Sequence, residues 1–277
     1  MGVPDRDLAP AVEFDRVSFA FDDHVILRDV SFVVPKGTMT ILLGESGVGK
    51  SVTLKLMVGL LRPDEGEIRI NGERIDTLPE EQLMRVRADM GVVFQELALF
   101  DSLSVAENVG YRLFEELHLP LDQAYARVEE VLRFIGLRDF MGRMPSELSG
   151  GQRRRVAIAR AMAPRPSLIL FDDPTTGLDP IIAATVDDEI VKLRDLEQVT
   201  SVFVTQQIRD AFYIATHRAV RSGGDIEIEE TPERQIAPAR FMVLHNAAIH
   251  FRGTASELMA SEDEYLRQFL YMTLPPW

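Results

Sequence analysis

The chain contains no cysteine, so disulfides, thiol nucleophiles and cysteine-bound metals are excluded. It has a single tryptophan, Trp277. Positive charge is scarce: 30 Lys and Arg face 44 Asp and Glu, a formal net charge of −14. A broad basic face for nucleic acid or anionic lipid is thereby excluded, because either partner is repelled at long range. No apolar run reaches the roughly 18 residues of a membrane helix. The opening segment to Ala11 carries two Asp and two Pro and lacks the apolar core of a signal peptide. The chain is therefore expected neither to cross a membrane nor to be exported on its own. Repeats and low-complexity tracts are also missing. What remains is 277 residues, 46% of them hydrophobic, enough for one large α/β domain or a domain with a helical insertion.

Glu13 to Phe21 alternates partly and Val25 to Val34 is apolar, so two antiparallel strands are expected to open the fold. Gly66 to Ile70 before Asn71-Gly72 reads as a hairpin, and Val92-Val93-Phe94 as a short buried strand. From Ser104 to about Arg143 the spacing of Tyr111, Leu113, Leu117, Val128, Val131, Leu132 and Ile135 is helical, with Gly136 as a stop. Leu168 to Phe171 and Ser201 to Thr205 read as buried parallel strands separated by a helix over Ala183 to Leu196. Ser222 to Arg240, with Gly223-Gly224, a run of acids, Pro232 and Pro238, breaks the pattern and suggests an inserted loop or small hairpin.

The run Gly44-Glu45-Ser46-Gly47-Val48-Gly49-Lys50-Ser51 fits G-x-x-x-x-G-K-[ST] between the apolar Met39 to Leu43 and the helix-like Val52 to Leu61. Glycine-rich backbone can point its N–H groups inward, and a helix N-terminus behind them favours negative charge. The pattern predicts a cradle for a nucleotide triphosphate, with Lys50 at the β- and γ-phosphates and the Ser51 hydroxyl on Mg²⁺.

A second motif, Leu148-Ser149-Gly150-Gly151-Gln152, follows about a hundred residues on, and Arg153-Arg154-Arg155 come directly after it. It resembles the signature of ABC-type ATPases. Other stretches match that family in order: Leu168 to Asp172 is an apolar strand ending in an acid, and Pro174 to Asp179 is similar to the family's D-loop. Gln95 stands where the Q-loop glutamine stands, and Phe21 at the place of the aromatic that stacks on adenine. By itself Phe21 reads equally as core, and Arg153 and Arg154 as a solvated helix face.

The resemblance implies an α/β fold of the P-loop NTPase class, ABC type: a mixed central sheet, an antiparallel β subdomain and an inserted helical subdomain at about 96–160. It implies an ATPase domain over 12–253, with the acidic segment 222–240 as an atypical loop, and a C-terminal helix and tail over 254–277. The implied cofactors are ATP and Mg²⁺, the metal held by Ser51, Gln95 and Asp172. The nucleotide would be bound by Gly44 to Ser51 and Phe21 of one subunit and by Ser149, Gly150, Gly151, Gln152 and Asp179 of a second, two copies sandwiching two ATP molecules. Asp173, Gln206 and Gln95 are the implied catalytic residues.

Two of these depart from the family pattern. Asp173 replaces the usual Glu, a carboxylate one methylene shorter, and Gln206 replaces the switch His. An amide cannot carry an imidazole's proton, although it can hydrogen-bond a phosphate or orient water. His217 lies too far along the chain to replace it and reads as structural. Either hydrolysis persists at a slower rate, or the chain binds ATP and hydrolyses little, as a regulatory subunit.

One cradle, one signature and no long insertion between them leave a transporter's nucleotide-binding subunit as the main class. Phe94 to Phe100, Met144 to Leu148, Thr176 to Ile181 and Arg267 to Leu270 resemble the ATPase of Mla/Mce-type lipid transport systems. That implies a membrane permease partner, docking between the Gln95 loop and the Ser104 to Arg143 helices, a hydrophobic cargo such as phospholipid, and a place on the cytoplasmic face of the membrane, reached only through the permease. Leu97, Leu99 and Phe100 read alternatively as core, and a polar-solute importer stays open. The apolar C-terminal stretch Tyr265 to Trp277 either folds back on its own domain or clasps a second subunit.

Overall fold

The computed structural model describes residues 10–223, 225–231 and 239–271. Strands β1 (Pro10–Phe21) and β2 (His24–Pro35) open the fold as an antiparallel pair. The register slips between Phe14 and Val17, where Arg16 takes φ 50, so two residues three apart both face inward. Phe14 then stacks on Phe32 at 4.5 Å. β3 (Met39–Leu43) feeds α1 (Lys50–Met57), which ends short of Leu61 because Gly59 turns the chain at φ 66. β4 (Glu65–Ile70) and β5 (Glu73–Arg74) form the expected hairpin, Asn71 and Gly72 both taking positive φ. The first sheet has the order β2-β1-β4-β5.

After α2 (Glu80–Arg87), β6 (Met90–Val93) enters the central sheet, and Phe94 falls beyond its end. The helical stretch resolves into α3 (Val105–Glu115) and α4 (Leu121–Phe134), interrupted at Pro120. Leu117 lies in that break and is exposed, while Gly136 at φ 67 stops α4. α5 (Gly150–Met162) leads to β7 (Leu168–Asp172); α6 (Pro180–Lys192) with a π turn over 193–197 leads to β8 (Thr200–Thr205).

The chain then leaves the central sheet. α7 (Ile208–Thr216) runs into β9 (His217–Ser222), which pairs antiparallel with β10 (Asp225–Glu230), so the acidic stretch supplies the second strand of a hairpin whose first strand precedes it. Gly224, Pro232 and Pro238 fall outside the described residues. The next strand of the sheet is β11 (Ala239–His245), followed by β12 (Ala248–Gly253). α8 (Ala255–Met259) and α9 (Glu264–Tyr271) close the described chain, and Leu266, Phe269 and Leu270 are buried in its own core. Leu274 and Trp277 lie outside the described residues.

The central sheet has the order β12-β11-β3-β8-β7-β6, parallel except for β12. Every residue of β3, β7 and β8 is buried, as continuous apolar strands covered on both faces must be. Successive residues serve opposite layers. Ile41, Leu43, Phe171 and Phe203 pack under helices α3 to α6, whereas Leu42, Leu170, Val202 and Val204 pack against α1 and the antiparallel sheet. The loops leaving the carboxyl ends of these three strands converge on one edge, where ligands bind in open α/β sheets. No helix among the described residues is long and apolar enough to cross a membrane.

Candidate functional site

The loop between β3 and α1 is built around two close approaches. A Cβ on Gly44 would lie 2.7 Å from the Leu244 carbonyl oxygen, and one on Gly49, at φ 112, would lie 2.7 Å from Ile26. Only glycine lets this backbone pass so near β2 and β11. Lys50, buried at the helix start, donates from Nζ to the Gly44 and Glu45 carbonyls at 2.9 Å each. Burial lowers its pKa, with Asp173 and then Asp172 opposing. The Ser51 hydroxyl donates to Asp172 Oδ1 at 2.8 Å, reaching across β8 to the end of β7. Burial raises the Asp172 carboxyl above its usual range, the Ser51 bond opposing and Asp173 adding to the rise.

Asp173 is held in an unusual conformation. Its φ is 44, its N–H donates to the Val204 carbonyl at 2.8 Å, and its Oδ1 accepts from the Gln206 N–H at 3.1 Å. The carboxylate is thus tied to the backbone of the very residue that departs most from the family pattern. Behind it lies a network that the sequence did not announce. Gln207 Nε2 donates to Thr175 Oγ1 at 3.1 Å, and that hydroxyl donates to Asp210 Oδ2 at 2.5 Å. Asp210 is 1% exposed, and burial raises its pKa. Its only sequence signal is position: an acid one turn into the helix that follows the switch residue.

The other expected site residues are arranged separately. Ser149 caps α5, accepting from the Gln152 N–H at 3.3 Å while Gln152 Oε1 accepts from the Ser149 N–H at 2.9 Å. Gly151 is required by packing, since a Cβ there would meet Ile182 at 2.2 Å. Asp179 caps α6, accepting from the N–H groups of Ile181 (3.1 Å) and Ile182 (3.0 Å). Among the described residues, no hydrogen bond joins Ser149 to Gln152 with the phosphate loop, and none joins the Gln95 side chain to Ser51 or Asp172. Phe21 is 49% exposed and edge-on to Phe19 at 4.8 Å, so it is not core. Its register partner His24 lines a groove of about 510 Å³ along the loop Glu45 to Val48.

Arg154 corrects the expectation of a solvated face. It is 5% exposed and donates to the Gln95 carbonyl at 2.6 Å and the Thr176 carbonyl at 3.1 Å, clasping the two loops that flank the site. Arg153 donates to the Leu148 carbonyl at 2.8 Å. Leu97 and Leu99 pack against the core, whereas Phe100 is 41% exposed, against Tyr111. His217 stacks on Tyr213 at 3.9 Å, and its Nδ1 lies 3.0 Å from the Tyr213 carbonyl oxygen.

A phosphate loop opening a helix, with a lysine, a hydroxyl and a strand-end acid converging on it, defines a P-loop nucleotide-binding protein. The ABC transporter profile matches residues 27–176. The chain is 35% identical to the intermembrane phospholipid transport system ATP-binding protein MlaF of Escherichia coli K12, over 96% of this chain and 90% of that one. It is 34% identical to the chloroplastic protein Trigalactosyldiacylglycerol 3 of Arabidopsis thaliana, over 96% of this chain and 74% of that one. Its fold superposes on the dimeric structure of MJ0796, a bacterial ABC transporter cassette, with TM-score 0.72 and 27% identity, covering 88% of this chain and 98% of that chain. The chain belongs to the ABC transporter family, as an ATP-binding and ATP-hydrolysing subunit.

Proposed function

We propose that this chain powers the movement of phospholipid or another hydrophobic molecule through a separate permease, on the cytoplasmic face of a membrane that it touches only through that partner. The cargo reading rests on its likeness to MlaF over nearly its full length. The observation that carries the ATPase reading is the convergence of Lys50, Ser51, Asp172 and Asp173 at the carboxyl ends of β3 and β7, the two strands that flank β8.

In this reading the backbone N–H groups of Gly47 to Ser51 hold the β- and γ-phosphates, Lys50 turns from its carbonyl partners toward them, and Phe21 stacks on adenine. The donor set fits magnesium: Ser51 and Asp172 offer hard oxygens 2.8 Å apart, Gln95 a third, and no protein-only metal cage exists among the described residues. When bound, the metal would offset charge on the phosphates. Asp173 accepts a proton from the attacking water, and Gln206 orients that water or donates to the γ-phosphate. Ser149 and Gly151 of a second copy close over the same nucleotide, and ATP therefore drives closure and hydrolysis releases it. The docking groove for the permease lies between the Gln95 loop and helices α3 and α4. A second reading, in which ATP closes the dimer but turns over little, is favoured by the engagement of Asp173 with the Gln206 backbone. Phosphate release under saturating Mg·ATP decides between them. The wild type should exceed both Lys50→Ala and Asp173→Asn; parity with Lys50→Ala leaves only the second reading.

A further inference from the structure

β7 and β8 lie side by side, and the loops that leave their carboxyl ends are tied together at three points beyond the sheet. The first is the acid itself, whose Oδ1 accepts from the Gln206 N–H at 3.1 Å. The second is Thr175, 1% exposed, which accepts at Oγ1 from Gln207 Nε2 at 3.1 Å and donates to Asp210 Oδ2 at 2.5 Å. A hydroxyl has one proton to give and lone pairs to receive, so this single atom serves both partners. The third is Arg209, which donates to the Pro180 carbonyl at 3.0 Å and holds its Nε 3.6 Å from Asp210 Oδ1. Within the second loop, Thr205 Oγ1 accepts from the Gln207 N–H at 2.9 Å, so the turn that carries Gln206 is pinned from both sides.

Asp173 sits in the left-handed region, and its Oδ2 accepts from no group among the described residues. With Oδ1 fixed on the Gln206 N–H, the direction of Oδ2 follows from where that N–H lies. Apart from the bond of Asp173 itself, the one side-chain bond among the described residues that joins the loop 173–179 to the turn 205–207 is that of Thr175 to Gln207. We infer that Thr175, anchored on Asp210, is a positioning residue for hydrolysis: it sets the turn that carries Gln206, and through the Gln206 N–H it aims Oδ2 of Asp173 at the attacking water. This role rests on the ATPase reading above. Thr175 itself touches neither nucleotide nor water, and none of its hydrogen bonds reaches Gly44 to Ser51, so its effect falls on turnover and not on grip. The shorter acid is what makes the anchor necessary. A glutamate's extra methylene gives reach and one more rotatable bond, whereas Asp173 has no slack with which to correct a displaced turn.

Steady-state phosphate release by the full chain tests this. Thr175→Val keeps the shape without the hydroxyl and should lower kcat about ten-fold, less than a full displacement of about 1 Å at a reacting group can cost, with KM changed less than about two-fold. Thr175→Ser keeps the hydroxyl and should stay within about two-fold of the wild type. Combined with Asp173→Glu, the Thr175→Val change should cost less than about two-fold, because the longer carboxylate has left the Gln206 N–H. Should Thr175→Val not fold, Gln207→Met removes only the amide donor, at a half-buried side chain, and should lower kcat about three-fold. A lower melting temperature with kcat unchanged in Thr175→Val or Gln207→Met makes the hydroxyl structural and overturns the inference while the ATPase reading stands. A ten-fold loss in Thr175→Ser, or an equal loss with and without Asp173→Glu, overturns it in the same way. A wild type no faster than Lys50→Ala sinks both.

Discussion

The nucleotide site has two halves, and they are made differently. The gripping half, from Gly44 to Ser51 with Asp172, is mostly backbone: glycines pressed against β2 and β11, a lysine bonded to carbonyls, a hydroxyl bonded to an acid. The hydrolytic half, Asp173 with Gln206 and the network through Thr175 to Asp210, is mostly side chain. Backbone geometry survives many substitutions elsewhere, whereas a side chain one methylene short relocates its functional atoms. The two departures from the family pattern within the site, Asp173 and Gln206, both fall in the second half.

The contrast can be broken most severely from the gripping side. Gly49→Ala forces a Cβ to within 2.7 Å of Ile26 at a φ of 112 that alanine resists, so the loop must move and its N–H groups with it. Calorimetry with Mg·ATP should register about a hundred-fold loss of affinity, the equivalent of one or two hydrogen bonds to a charged group. Unchanged affinity would mean that the phosphates are held elsewhere.

A smaller and opposite effect is expected in the hydrolytic half. Asp173→Glu restores the missing methylene, and a displacement of about 1 Å at a reacting group can change a rate by on the order of 10²-fold. Because the longer carboxylate must give up its bond to the Gln206 N–H, the net gain in kcat should be nearer ten-fold, with ATP affinity unaltered. A loss of turnover would indicate that the site has adjusted around the shorter acid.

The same division explains what could be read from the chain. The cradle was legible because glycine, lysine and serine at fixed spacing have few other uses, and β3, β7 and β8 because buried parallel strands are continuous apolar runs. The acidic hairpin of β9 and β10 was half legible: its turn glycine and charges marked an interruption, but nothing local showed that the central sheet resumes only at Ala239. Arg154 was misjudged because a run of three arginines looks solvated until α5 is seen to point one of them at the Gln95 and Thr176 carbonyls.

Asp187 sharpens the comparison furthest, because it loads the back of the hydrolytic half with a second buried acid. It is fully buried in α6, neither oxygen has a hydrogen-bond partner among the described residues, and burial, with Asp210 next, pushes its carboxyl up to about 9. The folded chain therefore keeps a proton that the unfolded chain releases above the ordinary value of 3.8. Stability from this group is complete below that value and is lost as pH rises toward 9, since unfolding then releases a proton. Asp187→Asn removes the titration while keeping the shape. The variant should match the wild type in melting temperature near about pH 3.5 and exceed it at about pH 8.5, by roughly 2–4 °C for each kcal/mol recovered. An equal difference at both pH values would mean that Asp187 is charged in the fold and its cost is fixed. ATP affinity should not move in either case, because the gripping half does not draw on α6.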